Sequence, residues 1–267
     1  MTIKINLLIL LIFTLFYDCY SQSTETLDSS EYHCFEFIQY STLNGKTDTI
    51  IKKICRKKRR VIFSKSRKYN YVGSVYNKEN ELVSKTNIIL EGTEEIREDD
   101  NQQIYINCFF ERSQDDSVKL QKYMSNETCC NWIDSIKIGV IEFEDKVWMH
   151  PIQHNQFILT EIAGFPEADL PLFIGKTWSS TLNIHSWGWG DWKNKKLMNN
   201  YKVLGLKKYI LKNETIECFE IECLTDFEEG VNKHTYLFNS DYGFVLMQYE
   251  FYNGVKINFE MKGCITK

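Results

Sequence analysis

The stretch FVLMQYEFYNGVKINFEM, residues 244–261, decides the fold of this chain. Apolar and polar residues alternate through both of its halves, which is the period of a β-strand with one buried face. The apolar sets are Val245, Met247, Tyr249 and Phe251 in the first half, and Val255, Ile257, Phe259 and Met261 in the second. Asn253–Gly254 lies between the halves and predicts a tight turn. The stretch is therefore predicted to be a β-hairpin.

The length of that turn decides which faces meet. A two-residue turn would place the two apolar sets on opposite faces, whereas a three-residue turn pairs Phe251 with Val255 and places both sets on one face. A shift of one residue inverts a whole strand, so the second register is predicted. It requires a left-handed Gly254, which costs glycine little, and it sets Glu250 opposite Lys256.

Segments of similar composition surround this hairpin. We expect further strands near residues 32–40, 47–54, 61–76, 136–148, 177–184, 201–211, 215–225 and 233–238. Residues 91–100 are acidic and are predicted to form a loop. Short connections favour antiparallel pairing, because parallel strands need long crossovers. The predicted fold is mainly β, an antiparallel meander forming a curved sheet, half-barrel or sandwich, and one helix is allowed near residues 116–135.

The first residues are typical of a secretory signal peptide. An almost uninterrupted apolar run, residues 5–17, follows Lys4, and Cys19 and Ser21 supply small residues for cleavage after residue 21. The run is too short to span a bilayer. We expect a signal peptide over residues 1–21 and a secreted or periplasmic protein. A lipid anchor on Cys19 is disfavoured, because Asp18 precedes it where processing needs a small residue.

Length and charge limit the remaining possibilities. The net charge of −4 gives no indication of a nucleic-acid partner, and no second apolar run is long enough for a transmembrane span in the mature chain. The length allows an N-terminal β-rich region, residues 22–150, and a C-terminal antiparallel β-domain, residues 151–267. One continuous domain over residues 30–267 is the alternative.

An even number of cysteines follows the leader, and in an exported chain this predicts disulfides, although the sequence selects no pairing. The candidates are Cys34, Cys55, Cys108, Cys129, Cys130, Cys218, Cys223 and Cys264. In the strand predicted at 215–225, Cys223 should face the core and Cys218 should face out. These two are therefore not expected to bond to each other.

Two clusters could bind a ligand. Trp187, Trp189 and Trp192 are separated by glycines and Asp191, which suits stacking on a sugar or gripping an acyl chain, although such rings could also cover the end of a β-core. The second cluster is basic. Its centre is Arg56, Lys57, Lys58, Arg59 and Arg60, and the run also includes Lys52, Lys53, Lys65, Arg67 and Lys68. It could bind a lipid, a glycan or another anionic envelope surface, or be a solvated hairpin neutralised by the acids of residues 91–100.

Catalytic and metal motifs give no positive indication. No serine has the flanking glycines of a Gly-x-Ser-x-Gly motif. His150 and His154 are four apart, but Pro151 takes the place of the glutamate of a zinc motif and no third ligand is nearby, so a solvated loop is predicted. We expect no metal and no cofactor. The predicted function is an exported, non-catalytic β-domain that binds an apolar or glycan envelope ligand. The alternatives are a secreted hydrolase and a structural envelope protein docking on an anionic surface.

Three stretches of the second half resemble a known group of proteins. They are Leu170–Leu172 with Ile174–Trp178, Cys218–Ile221, and Tyr236–Asn239 running into Tyr242–Val245. This pattern, over roughly the last 105 residues, is similar to exported bacterial β-rich envelope domains of unassigned function, some of them similar to lipoprotein-carrier half-barrels. The resemblance implies a curved antiparallel sheet with a concave face and no catalytic residues.

Overall fold

The computed structural model describes residues 31–43, 46–59, 61–97, 100–111, 132–184, 192 and 194–267. A two-stranded antiparallel sheet pairs β1 (Tyr32–Leu43) with β2 (Lys46–Lys57). The main sheet has twelve strands and is nearly closed into a barrel. Its strands are β3 (Arg67–Tyr76), β4 (Leu82–Arg97), β5 (Asp100–Phe110), β6 (Ser135–Glu142), β7 (Lys146–Met149), β8 (Glu167–Asp169), β9 (Thr177–Asn183), β10 (Lys196–Leu211), β11 (Glu214–Phe227), β12 (Gly230–Asn239), β13 (Gly243–Glu250) and β14 (Lys256–Thr266). A 3₁₀ helix covers Asn155–Ile162.

Strand order follows chain order with one exception. The sheet runs β8-β7-β6-β5-β4-β3-β14-β13-β12-β11-β10-β9, so the last strand of the chain pairs with β3. All of the pairings are antiparallel, as short connections require. The predicted mainly β, antiparallel fold is therefore confirmed. Strands β8 and β9 are the two edges of the sheet.

The decisive hairpin adopts the predicted three-residue register. The backbone N–H of Phe251 donates to the carbonyl of Val255 at 2.9 Å. Gly254 has a φ of 81°, and Glu250 lies opposite Lys256 with 3.9 Å between their charged atoms. The apolar residues of both strands face the inside of the sheet, where Tyr249 is buried.

Two expectations for the middle of the chain have different outcomes. The loop predicted at residues 91–100 is wrong, because β4 continues to Arg97 and β5 begins at Asp100. Pairing of β4 with β5 continues to Arg97 and outweighs the acidic composition there, and Glu91 is neutralised by Lys68 at 2.9 Å. The helix allowed near 116–135 falls mostly on residues 112–131, which lie outside the described residues, and residues 132–135 are not helical.

The inside of the curled sheet is filled by the chain itself. Residues 150–166, here called the internal segment, follow β7, contain the 3₁₀ helix and lead into β8. Phe157 on that helix is fully buried and packs against Phe259 of β14, with 4.8 Å between ring centroids. At Gly73 of β3, a β-carbon would lie only 2.5 Å from the Cζ atom of Phe157. The helix therefore rests directly on the concave face of the sheet.

Candidate functional site

Side chains of the sheet hold the internal segment through its backbone carbonyls. The hydroxyl of Tyr201 donates to the carbonyl of Phe165 at 2.9 Å, and the hydroxyl of Tyr236 donates to the carbonyl of Gly164. The amide of Asn232 donates to the carbonyl of Ile162 at 2.6 Å. Each of these bonds satisfies a backbone group that would otherwise be buried without a partner. The concave face expected from the sequence resemblance is thus occupied by residues of this chain.

Gly164 is the point of closest approach between the internal segment and the sheet. Its N–H donates to the hydroxyl of Thr225 at 2.8 Å, and that hydroxyl donates to the side-chain oxygen of Asn199 at 2.9 Å. A β-carbon on Gly164 would overlap the sulfur of Cys223 and lie 3.0 Å from the Thr225 hydroxyl oxygen. The sequence therefore needs glycine here for space.

Beneath the internal segment lies a buried polar side chain, His234 of β12. It is fully buried, and among the described residues neither of its ring nitrogens has a hydrogen-bond partner. Tyr249 packs against it, with 5.1 Å between ring centroids. Burial lowers the pKa of His234 to about 3, so the ring is neutral at physiological pH. Burial also raises the pKa of the neighbouring Cys223 thiol to about 12, which keeps this cysteine protonated.

A second piece of chain, residues 61–66, closes the end of the sheet near the turn between β6 and β7. It is anchored by Glu142, whose carboxylate accepts the backbone N–H groups of Val61, Ile62 and Phe63, each at 2.9 Å. The hydroxyl of Tyr69 donates to the carbonyl of Ile62. This arrangement buries Ile62 and Phe63 in the core while satisfying the polar groups of the loop.

Replacing Glu142 with glutamine should release this loop. One oxygen acceptor is lost and an N–H₂ group is placed against backbone donors, so we expect the free energy of unfolding to fall by about 2–3 kcal/mol. Glu144→Gln is the matched control, because Glu144 forms an exposed ion pair with Lys57 at 3.0 Å that solvent screens, so its loss should leave the urea midpoint almost unchanged. Urea midpoints measure both effects, and equal midpoints for the two variants would contradict the anchoring role.

His150 and His154, the two histidines of the considered metal motif, both lie in the internal segment. The solvated loop predicted for them is wrong, because His150 packs between aromatic rings, 4.9 Å from Phe165 and 6.1 Å from Trp148 by ring centroids. Burial lowers the pKa of His150 to about 4 and also lowers the pKa of His154. In the described part of the chain, no group of three or more His, Cys, Asp or Glu residues is placed to hold a metal ion.

The basic cluster at the base of β2 faces the turn between β6 and β7. Three of its members lie beside carboxylates: Arg56 3.3 Å from Asp145, Lys57 3.0 Å from Glu144, and Arg59 4.0 Å from Glu142. The backbone of Lys58 forms a β-bridge with Phe143, and Arg60 lies outside the described residues. The acids that face Arg56, Lys57 and Arg59 thus come from the end of β6 and the β6–β7 turn. Residues 91–100 neutralise the later part of the basic run, as the sequence suggested, with Lys65 3.0 Å from Glu94 and Lys68 2.9 Å from Glu91.

The tryptophan cluster falls mostly outside the described residues. Trp187 and Trp189 belong to that part of the chain, whereas Trp192 is described, half-buried and packed against the hydrophobic core. The carbonyl of Trp192 accepts the N–H of Lys195 at 3.2 Å, just before β10 begins. Trp192 therefore has a fixed position at the end of the connection between β9 and β10.

One disulfide is observed. Cys34 and Cys55 face each other across β1 and β2 with 4.0 Å between their α-carbons, and are bonded. The other described candidates are free thiols in this structure: Cys108, Cys218, Cys223 and Cys264. Burial raises the pKa of the Cys108 thiol, as expected for a cysteine in an apolar core. Cys19, Cys129 and Cys130 lie outside the described residues.

The outward position predicted for Cys218 is wrong, because this thiol is buried. The tip of the β10–β11 hairpin extends beyond β12 and returns to β14, where the hydroxyl of Tyr209 donates to the carbonyl of Met261 at 2.8 Å. A bulge at Val203/Gly205 places Tyr209 and Cys218 on one face of this tip. The alternation of apolar and polar residues along β11 did not predict that the face carrying Cys218 would be buried at this end of the strand.

Comparisons with known proteins add a limited finding. The sequence matches no protein-family model and no curated protein. A candidate lipoprotein from Parabacteroides distasonis is 7% identical, with a TM-score of 0.44 over 78% of this chain and 98% of that one. A candidate exported protein with a YmcC-like fold from Bacteroides fragilis is 6% identical, with a TM-score of 0.43 over 78% and 99%. The hypothetical lipoprotein YmcC from Escherichia coli is 8% identical, with a TM-score of 0.31 over 72% and 83%. At these TM-scores no function or site residue transfers to this chain.

Proposed function

We propose that this protein is an exported, non-catalytic β-domain of the cell envelope that binds an apolar or glycan ligand at its surface. The occupied concave face supports a ligand site at the surface rather than inside the sheet. Phe157 and the carbonyls that accept from Tyr201 and Tyr236 lie where an internal ligand would bind. The leader over residues 1–21, which lies outside the described residues, supports a secreted or periplasmic location. Among the described residues, no helix is both long and apolar enough to cross a membrane.

The electrostatics of the buried side chains support a non-catalytic role. A general base works best with a pKa near the operating pH, and a nucleophilic cysteine must reach the thiolate form. Burial moves the pKa of His234 to about 3 and that of Cys223 to about 12, away from both requirements. His234 on β12 and Cys223 on β11 are directly paired across the two strands. We therefore assign their proximity to packing within the sheet.

One observation favours the alternative of a secreted hydrolase. Burial raises the pKa of Glu161 on the 3₁₀ helix to about 7, a value that suits a general acid or base. If Glu161 serves catalysis, Glu161→Gln should abolish any hydrolytic activity toward envelope esters or glycans while keeping the protein folded. If it is only a buried carboxyl, Glu161→Gln should raise the stability at pH 8, where its ionisation opposes burial.

The proposed ligand site is the connection between β9 and β10, with Trp187, Trp189 and Trp192. Trp192 is held against the core, so it provides a fixed wall for a ligand that contacts the other two rings. Aromatic rings offer large apolar faces at a low cost in conformational entropy, which suits both sugars and acyl chains.

Tryptophan fluorescence tests this site. Titration with fatty acids, phospholipids and envelope glycans should shift the emission of the wild type for one class of ligand. Trp187→Ala and Trp189→Ala should weaken that binding, whereas Trp148→Phe, a half-buried ring on β7, serves as the control and should leave it unchanged. A wild-type emission spectrum that no class of ligand shifts would contradict the proposal.

A further inference from the structure

The two edges of the main sheet are protected to different degrees. An edge strand presents unpaired backbone groups, and natural proteins usually shorten it or place charges on it to prevent pairing with another chain. Strand β8 has both protections, because it has only three residues and its buried Glu167 lies 3.1 Å from Lys146. Strand β9 has seven residues, and its sequence TWSSTLN contains no charge, no proline and no glycine. Its register with β10 is also free of bulges, so β9 is an unprotected edge.

Alternate residues of β9 direct their backbone hydrogen-bonding groups to β10. Just before the strand, the carbonyl of Lys176 accepts the N–H of Val203 at 2.9 Å, and just after it the N–H of Ile184 donates to the carbonyl of Lys195 at 2.9 Å. Opposite residues of an antiparallel ladder alternate between bonded and non-bonded pairs, so the even-numbered residues of β9 bond to β10. The backbone groups that point to the open side are those of Thr177, Ser179, Thr181 and Asn183. Within the described part of the chain, no hydrogen-bond partner faces them.

The composition of this edge suits a second copy of the same strand. Antiparallel pairing of two β9 strands about Ser180 sets Ser179 of one copy opposite Thr181 of the other. It also sets Thr177 opposite Asn183, so residues with outward backbone groups meet one another and can exchange hydrogen bonds. No like charges come together, because the strand has none, and the exposed hydroxyl side chains can bond across the two strands.

The other face of the same pairing is apolar. Trp178 of one copy would lie opposite Leu182 of the other, at a non-hydrogen-bonded position, where side chains of paired strands approach most closely. Both side chains are half-buried and pack against the core of their own copy. Trp178 also stacks on Tyr201 with 5.1 Å between ring centroids, so its ring is already held in place and little entropy is lost on pairing.

The nearest cations do not oppose this pairing. The Nζ atom of Lys176 is turned toward β8, where it lies 3.0 Å from the carboxylate of Asp169. Lys196 and Lys202 lie on β10, one strand back from the edge, at the two ends of β9. In the paired copies, Lys202 of one and Lys196 of the other would be three strand spacings apart, about 14 Å. This exceeds the screening length of about 8 Å at physiological salt, so their repulsion is weak.

We propose that two copies of this protein pair through β9, antiparallel about a two-fold axis at Ser180, and join their main sheets into one. A two-fold contact uses the same surface of both copies, so each favourable pair occurs on both sides of the axis. This interface goes beyond the proposed function, because it concerns the assembly of the protein and its test needs no ligand at the tryptophan cluster.

Sedimentation velocity of the full mature protein over a range of concentrations tests the pairing. The wild type should form a dimer whose share rises with concentration. Ser179→Lys/Thr181→Lys should dimerise at least about tenfold more weakly, because it sets lysines of the two copies opposite each other. Thr215→Lys/Gln248→Lys is the matched control, because it adds the same charge at exposed positions of β11 and β13, away from the edge, and should dimerise like the wild type.

A second variant removes a single backbone donor. Ser179→Pro deletes an N–H that points away from β10, so it should weaken the dimer while the protein stays folded by circular dichroism. This variant decides the question if two added lysines prevent folding. A wild type that is monomeric at every concentration would overturn the proposal, and so would edge variants that dimerise normally. Equal weakening by the Thr215→Lys/Gln248→Lys control would also overturn it, since net charge rather than β9 would then govern association.

Discussion

Replacing Gly164 with alanine should lower the free energy of unfolding by about 3 kcal/mol. The added methyl group would overlap the sulfur of Cys223 and press on the hydroxyl of Thr225, both on a packed strand. Relief would require the internal segment to move away, which would also lengthen the bond from the Gly164 N–H to Thr225, now 2.8 Å. Chemical denaturation followed by circular dichroism measures the loss.

Gly205→Ala is the control for that experiment. Gly205 lies on β10, next to the strand that Gly164 contacts, but a β-carbon there would meet no other atom within 4 Å. We expect a change of less than about 0.5 kcal/mol, as for ordinary surface positions. If Gly164→Ala were as harmless as Gly205→Ala, the internal segment could not lie against Cys223 as described.

Acid should destabilise the protein through His234. Its pKa is lowered to about 3 by burial in the folded state and should be near 6.5 in the unfolded chain. Between pH 6.5 and pH 3, His234 is therefore protonated in the unfolded state and neutral in the folded state. The stability supplied by the neutral ring is present above pH 6.5 and is lost at about 1.4 kcal/mol per pH unit as the pH falls toward 3.

The variant His234→Phe isolates this contribution, because it keeps an aromatic ring and removes the titration. Relative to its own value at pH 7, the wild type should lose about 3 kcal/mol more than the variant by pH 4. His150, whose pKa is lowered to about 4, and Glu161, whose pKa is raised to about 7, titrate in both proteins and cancel in the comparison. Tyr236, Tyr249 and Cys223, which face the ring, have raised pKa values and stay neutral throughout. Parallel stability curves for the two proteins would contradict the burial of an uncharged His234.

The local parts of this fold could be predicted from the sequence, and the long-range parts could not. The register of the last hairpin follows from alternation and a turn residue, and both lie within eighteen residues. The pairing of β14 with β3 joins residues far apart in sequence, and nothing local specifies it. Because this pairing joins β3–β7 of the predicted N-terminal region and β8–β14 of the predicted C-terminal domain in one sheet, we propose that these two groups of strands unfold in a single cooperative transition. Two separate calorimetric transitions would contradict that proposal.

The internal segment was not predictable, because its backbone partners lie in other strands. Pro151 and Pro166 suggest a loop, and the carbonyls of the segment are satisfied by Tyr201, Asn232 and Tyr236. The apolar run Phe157–Leu159 between those prolines was the available signal of burial.

The exposed apolar side chains at the end of β10 also had a signal in the sequence. Around Leu206 and Ile210, apolar residues occur at both odd and even positions of β10, which is unusual for a strand with one solvent face. The fold was needed to show that the Tyr209 side is covered and the Ile210 side is not. For the basic cluster, in contrast, the sequence signal overstates what is available at the surface. Its members Arg56, Lys57 and Arg59 lie beside the carboxylates of Asp145, Glu144 and Glu142.

A double-mutant cycle between Gly73 on β3 and Phe157 on the 3₁₀ helix tests most directly whether the chain fills its own sheet. Gly73→Ala places a methyl group 2.5 Å from the Phe157 ring, and Phe157→Leu shortens that side chain. Each single variant should be destabilised, and the double variant should be more stable than the sum of the two losses predicts, by about 1–3 kcal/mol. Strictly additive losses would mean that the two residues do not touch and that the internal segment does not occupy the concave face.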